Sequence, residues 1–419
     1  MVPSLPHEAR ATAERAARDS YGRLVALLAK RTRDLAGVED ALSEAFAAAL
    51  AEWPRAGPPR KPEAWLLAVA RRKLVDAARR QQTARSAEPH LQQMAEELDA
   101  SMSEDAPLPD ERLALMFACA HPTIERGIRA PLMLQTILGF DAGEIASAFL
   151  IAPSAMSQRL VRAKGKIKQA GVPFRVPDRH ALAERLDAVL EAIYATFAAG
   201  WMDASGTDAR RGNLAEEGLW LGRVVVSLLP AEAEALGLLA LMLHAEARRA
   251  ARRDADGSYI PLADQDTSTW HAPMIAEAEA LLARAAPMGA IGRYQLEAAV
   301  QSVHAARRLT GSTDWPALVK LYDALLAMTH SPVVMVNRAV ALAEVAGPDA
   351  GLSALDDATR DIRLAEYQPY WAARADLLRR RGEVGAALAA YQAAIGLERD
   401  PAVRDFLQAR CLELQPARR

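Results

Sequence analysis

The sequence is short of several things at once. Only two of its 419 residues are cysteine, Cys119 and Cys411, which leaves no disulfide framework and no cysteine-based zinc site. Aromatic residues make up 5% and β-branched residues are few, so the composition argues against a sheet-built chain. No uncharged run approaches the roughly 18 residues that a membrane-spanning helix needs. The opening segment, MVPSLPHEARATAERAARDSYGRL, has no apolar signal-peptide core. These two absences predict a cytoplasmic chain with no membrane partner. Net charge is also nearly lacking, with 51 basic residues against 53 acidic ones. What is present is a 51% apolar, 25% charged mixture dominated by Ala, Leu, Arg and Glu. That balance excludes a mainly disordered chain and predicts an all-α protein. The length suits two to three domains.

The neutral total hides an uneven distribution. Residues 81–110 hold a single basic residue, Arg85, among seven acidic ones, whereas 151–170 hold five basic residues and no acid. Pro/Gly-rich breaks fall at 53–63, at the prolines near 107–109 and at 169–180. The expected domains are 1–82, an acidic linker 83–107, 108–172, and 178–415. Basic blocks of this size suit nucleic acid, although a solvated helix face is the commoner cause of any one cluster.

In the first block, Leu42, Phe46, Ala49 and Trp53 recur at helical spacing from Val38 until Pro54, which is expected to stop the helix. Asp40 and Glu44 share its polar face. Residues 63–81 form a second helix, started by Pro62 and Glu63. Leu66, Leu67, Ala70, Leu74 and Ala77 make its core stripe. Trp65, Val69, Arg72, Asp76 and Arg79 lie opposite. An aromatic beside arginines suits single-stranded nucleic acid, a stacking platform next to phosphate neutralisers. The alternative is a core-edge Trp with an Arg–Asp ladder.

The second block reads as a helix-turn-helix. Leu132 to Leu138 form a helix, Gly139-Phe140-Asp141 a break and N-cap, and Glu144 a capping-box partner. Ile145, Ala146 and Phe149 face inward from a short helix. Pro153 starts a longer one, in which Met156, Leu160, Ala163 and Ile167 face the core. Ser154, Gln158, Val161 and Arg162 face out, surrounded by Arg159, Lys164, Lys166 and Lys168. Such a helix lies in the major groove, with polar side chains at base edges and basic ones near phosphates. A helical hairpin with a basic exposed face is the alternative.

These motifs resemble a known family. VEDALSEAFAAAL (38–50) followed by PEAWLLAVARRKLVDAARR (62–80) is similar to region 2 of bacterial sigma factors of the extracytoplasmic-function (ECF) class. DAGEIASAFLIAPSAMSQRLVRAKGKIKQAG (141–171) resembles their region 4. LPDERLALMFACAHPTIERGIRAPLMLQTILGF (108–140) and the long tail look like the ECF group with a C-terminal tetratricopeptide-like extension. The resemblance implies an all-α fold: a region 2 helical bundle, a region 4 helix-turn-helix domain and a tetratricopeptide-like helical domain. It also implies roles. Asp40, Leu42, Glu44 and Phe46 would dock on core RNA polymerase. Arg60, Lys61, Trp65, Arg72, Asp76 and Arg79 would hold the melted −10 strand of promoter DNA. Ser154, Ser157, Gln158, Arg159 and Arg162 would read or grip the −35 element. The acidic linker would thread toward the polymerase active centre.

From 178 to 413 the chain reads as amphipathic helices. WAARADLLRRRGEVGAALAAYQAAIGLE (371–398) has the Trp, Gly, Ala, Tyr, Ala order of a tetratricopeptide unit, and MVNRAVALAEVAGPDAGLSALDDA (335–358) precedes it at near the same period. Stacked helical pairs make concave surfaces for a protein partner, or this half simply packs as a scaffold. In the loop 254–273, Asp264, Asp266, Trp270 and His271 cluster. Carboxylates two apart suit a hard cation, but no EF-hand pattern follows, and a structural loop anchored by Trp270 is the favoured reading. No nucleophile–base set is evident, so neither an enzyme nor a cofactor is expected. The rival reading is a free-standing helix-turn-helix regulator with a ligand-binding helical domain.

Overall fold

The computed structural model describes residues 5–82, 110–149, 151–201, 209–358 and 362–414. Among the described residues the regular structure is helical, with no β-strand and one isolated bridge, Arg253 to Tyr259. The all-α expectation holds. Two compact units divide the chain, residues 1–200 and 201–419. The break expected at 172–178 lies within the first of these units. The acidic linker lies outside the described residues.

The first unit runs α1 (Leu5–Thr32), α2 (Leu35–Ala56), α3 (Pro62–Gln82), α4 (Arg112–Cys119), α5 (Arg126–Leu138), α6 (Ala142–Ala148), α7 (Pro153–Gln169) and α8 (Arg179–Trp201). Asp34 starts α2 by accepting the Gly37 amide at 3.2 Å, a side-chain N-cap. Pro54 does not stop this helix as expected. It sits in the last turn, where it removes one amide donor, and the chain turns out only at Gly57, whose φ is +82°. Likewise α5 begins at Arg126, six residues before the expected start, with Pro131 buried inside its first half. The seam between α1 and α5 is close: a Cβ on Gly22 would lie 2.3 Å from the Ile137 carbonyl oxygen. Only glycine fits there. The Arg185 guanidinium of α8 donates to the Phe117 carbonyl at 2.7 Å, and Arg126 pairs with Glu191. These two contacts explain why α8 belongs to this unit.

The second unit runs α9 (Ala209–Leu228), α10 (Ala233–Glu246), α11 (Ala272–Ala285), α12 (Arg293–Thr310), α13 (Trp315–Thr329), α14 (Pro332–Ala346), α15 (Pro348–Ala358), α16 (Gln368–Arg381), α17 (Val384–Leu397) and α18 (Pro401–Glu413). The repeat-like segments fold as helical hairpins, α14–α15 and α16–α17, packed through small residues such as Ala339, Ala343, Ala375, Ala387 and Ala390. Helix α10 is apolar all round and buried. Its Glu234 reaches the start of α12, accepting the Tyr294 amide at 2.9 Å and the Gln295 amide at 3.1 Å.

The loop after α10 is an anchored strap. Trp270 is 2% exposed, with the guanidinium groups of Arg248 and Arg307 at 5.9 and 5.3 Å from its ring. Arg307 also donates to the carbonyls of Leu262, Ala263 and Gln265. Asp266 accepts the Ser268 amide and His271 Nδ1 accepts the Met274 amide, so both act as turn caps. No group of three potential metal ligands occurs among the described residues. The structural reading of this loop is the one the geometry favours.

His244 on α10 is 1% exposed. Burial first, and the Arg248 guanidinium second, push its pKa down to about 4. Glu279 stands 3.4 Å from Nε2 but is 46% exposed, too well solvated to reverse the effect. The unfolded chain therefore binds a proton near pH 6.5 that the folded chain refuses. Stability contributed by the neutral imidazole is present above pH 6.5 and lost as pH falls toward 4. Over that interval His244→Leu should lose about 3 kcal/mol less than the parent chain. Parallel denaturant titrations of both chains from pH 7 to 4 check this, and parallel pH profiles would contradict it.

Candidate nucleic-acid interface

The short helix α6, the turn after it and the longer α7 are built by local chemistry. Gly139, at φ +75°, ends α5; its amide bonds the Gln135 carbonyl and the next amide, Phe140, bonds that of Leu134. This is a Schellman closure. Asp141 then accepts the amides of Gly143 at 2.7 Å and Glu144 at 2.8 Å, while Glu144 accepts the Asp141 amide at 3.0 Å. The capping box read from the sequence is complete. Pro153 occupies the first turn of α7, and Met156, Leu160, Ala163 and Ile167 are buried beneath it.

Three strips run along α7. Its outer strip carries Ser154, Ser157, Gln158, Val161 and Arg162, all exposed, with Arg162 donating back to the Gln158 carbonyl. One flank carries Arg159, Arg162 and Lys166. With Ile124, Glu125 and Ile128 they line a shallow cleft of about 170 Å³. The other flank is paired with α2: Lys164 is largely covered, whereas Lys168 stays exposed. Lys164 pairs with Glu39 of α2, and Lys168 pairs with Asp34 at 2.6 Å. Sequence reasoning missed both acids. The only available signal was charge: a run of five cations with no acid needs carboxylates somewhere, but nothing local says where. Burial raises the Glu39 carboxyl above its ordinary value, and Lys164 only partly offsets that.

On α2, Asp40 is exposed and Glu44 pairs with Lys73 of α3 at 2.8 Å. Leu42 is fully buried, which corrects its expected place on a docking face: it falls on the helix stripe with Val38, Ala45 and Ala49 that faces the core. Phe46 is half-buried, its ring 6.5 Å from that of Tyr21.

On α3 the core stripe of Leu66, Leu67, Ala70 and Leu74 is buried. Trp65 is not a free platform. It is half-buried and meets the buried Trp53 edge-to-face at 5.4 Å, the core-edge alternative left open by the sequence. Arg72 and Asp76 are exposed beyond it, as are Arg60 and Lys61 in the preceding bend. Arg79 lies in α3, but its side chain is outside the described residues. The structure thus gathers a basic, partly aromatic surface on α3 and an open polar face on α7 within one unit.

Comparison with known proteins bears on this geometry. Residues 17–84, from within α1 through α3, match sigma-70 region 2. Residues 185–286 match a family of unknown function (DUF6596). An uncharacterized protein of Rhizobium meliloti is 38% identical over 373 residues, covering 88% of this chain and 87% of its own length. The chain belongs to that protein's family. No solved structure matches. A sigma-70 region 2 supports a role in promoter recognition, with core RNA polymerase and promoter DNA as partners, and no helix among the described residues is long and apolar enough to cross a membrane.

The capping box generates a prediction. Asp141→Ala removes the oxygen that holds two amides at the start of α6, and should cost about 1 kcal/mol. Denaturant unfolding of the full chain reads this loss. Unchanged stability would mean that the turn is held by packing alone.

Proposed function

We propose that this protein is an alternative sigma factor of the ECF class. It binds core RNA polymerase, recognises −35 and −10 promoter elements and opens the latter; the polymerase supplies the chemistry, in the cytoplasm. The observation that carries the reading is the pairing, in one unit, of a sigma-70 region 2 at residues 17–84 with a capped helix-turn-helix whose outer strip is free of acid and exposed.

The roles follow from position. Asp40 and Glu44 on α2 offer charge to a basic surface of the polymerase, with Phe46 at the rim. Leu42 supports them from the core. Arg72, Asp76 and Arg79, with Arg60 and Lys61 of the bend, line the path of the −10 strand, and Trp65 stands beside it as a ring wedged on Trp53. On α7, Ser154 and Gln158 offer hydrogen bonds to base edges, while Ser157, Arg159 and Arg162 hold phosphates or reach a base. We read hairpins α14–α15 and α16–α17 as tetratricopeptide-like, and the second unit as a regulator in cis that binds a protein partner.

Gel filtration of the purified full chain with core RNA polymerase tests this. Co-elution is expected, weakened at least tenfold by Asp40→Lys with Glu44→Lys. Losing the exposed Glu44–Lys73 pair itself costs little stability, so such a loss reads binding. Failure of both the full chain and residues 1–200 to bind polymerase would overturn the reading.

A further inference from the structure

The run RRAARR (248–253) follows α10 and opens the strap. Its arginines divide by face. Arg249 pairs with Glu246 at 2.7 Å, and Arg253 pairs with Asp400, the N-cap of α18. Arg248 and Arg252, four apart, pair with no carboxylate among the described residues. Arg248 donates to the His244 carbonyl and the Gln301 side chain, and Arg252 to the Trp201 carbonyl at 3.1 Å. That leaves Nη1 of Arg248 and Nη2 of Arg252 without an acceptor among the described residues. Arg307 donates only to the strap's carbonyls.

These three guanidinium groups share one neighbourhood. Burial first, then Arg252 and Arg307, lower the Arg248 pKa to about 10. His304, three residues before Arg307 on α12, is held down to about 4 by burial and then by Arg248 and Arg307. Tyr322 of α13 belongs to the same group. Burial, then Glu297, push its hydroxyl up to about 12, so it remains a donor. Glu297 itself pairs with Arg293 at 2.6 Å. On the strap side Tyr259 meets Phe406 of α18 edge-to-face at 5.6 Å, so the last helix is fastened to the strap there and at Arg253.

The cluster is rich in donors and short of negative charge. A carbonyl satisfies an N–H but supplies no opposite charge, so partly covered guanidinium groups bonded only to neutral acceptors keep their mutual repulsion. Two indole N–H groups point to the same deficit. Trp270 lies between Arg248 and Arg307, and the Trp201 ring lies 4.0 Å from the Arg252 guanidinium. Both Nε1 atoms are buried with no acceptor among the described residues. Arg248, Arg252, Gln301 and His304 are only half-buried, so a small molecule can reach them. A phosphate group answers this set better than a carboxylate. It brings more acceptor oxygens and a second negative charge near neutral pH, and guanidinium forks match its geometry.

We propose that Arg248 and Arg252 bind a phosphate group, free or carried by a small metabolite, with Gln301, His304 and Tyr322 as further donors and Arg307 adding charge. The proposal does not rest on the sigma-factor reading, and its test reads binding directly.

Isothermal titration of the full chain at fixed ionic strength is that test, with inorganic phosphate, glycerol 3-phosphate and succinate as probes. Inorganic phosphate should bind with a dissociation constant of about 1 mM or tighter, and succinate at least tenfold more weakly. Arg252→Gln should weaken phosphate binding at least tenfold, whereas Arg284→Gln, at an exposed site on α11, should leave it unchanged. Arg252→Lys keeps the charge but not the fork and should also weaken binding, so the test survives if the glutamine variant fails to fold. Tighter binding of glycerol 3-phosphate than of phosphate supports the site and identifies a phosphorylated metabolite; equal or weaker binding supports it and identifies the free ion. Succinate binding as tight as phosphate, or phosphate binding that persists in both Arg252 variants, overturns the proposal. Absence of phosphate binding to the parent chain overturns it without any variant.

Discussion

Lys164 and Glu39 meet 125 positions apart in sequence, at a seam where α7 lies on α2. Most of the first unit's arrangement depends on that meeting. It turns one flank of α7 toward α2 and leaves Ser154, Gln158 and Arg162 outward. Nearby, Gly22 lets α1 approach the Ile137 carbonyl, and Gly139 leaves room for the Tyr21 ring.

The second unit is held by a different logic. Arg248 and Arg307 flank the buried Trp270, and Arg307 fastens the strap's carbonyls. Burial and neighbouring cations lower the Arg248 pKa to about 10. Small residues then stack the later hairpins. Its described residues form a helical scaffold.

Local features were legible in the sequence. The N-cap and capping box at Asp141–Glu144 depend on residues three apart, and the core stripe of α7 depends on periodicity alone, so both were readable. The fold class followed from composition. What was not legible depended on distant partners. Leu42 looks like part of a docking face only if Asp40 and Glu44 are taken to define it; its neighbours Val38 and Ala45 place it in the core. Trp65 was ambiguous because its partner, Trp53, sits across a Pro-rich loop. Lys164 and Lys168 looked like phosphate contacts because their acids lie in another block. Pro54 misled because the packing of its helix, with Trp53 buried beside it, carries the chain past a proline that local chemistry alone reads as a stop.

The central claim is that this chain directs polymerase to promoters. Its most direct test is transcription by core RNA polymerase, with and without the purified full chain, on a pool of genomic fragments, reading the 5′ ends of the products. The account predicts a new set of start sites that share two upstream elements at fixed spacing. Start sites identical to those of core polymerase alone would contradict it.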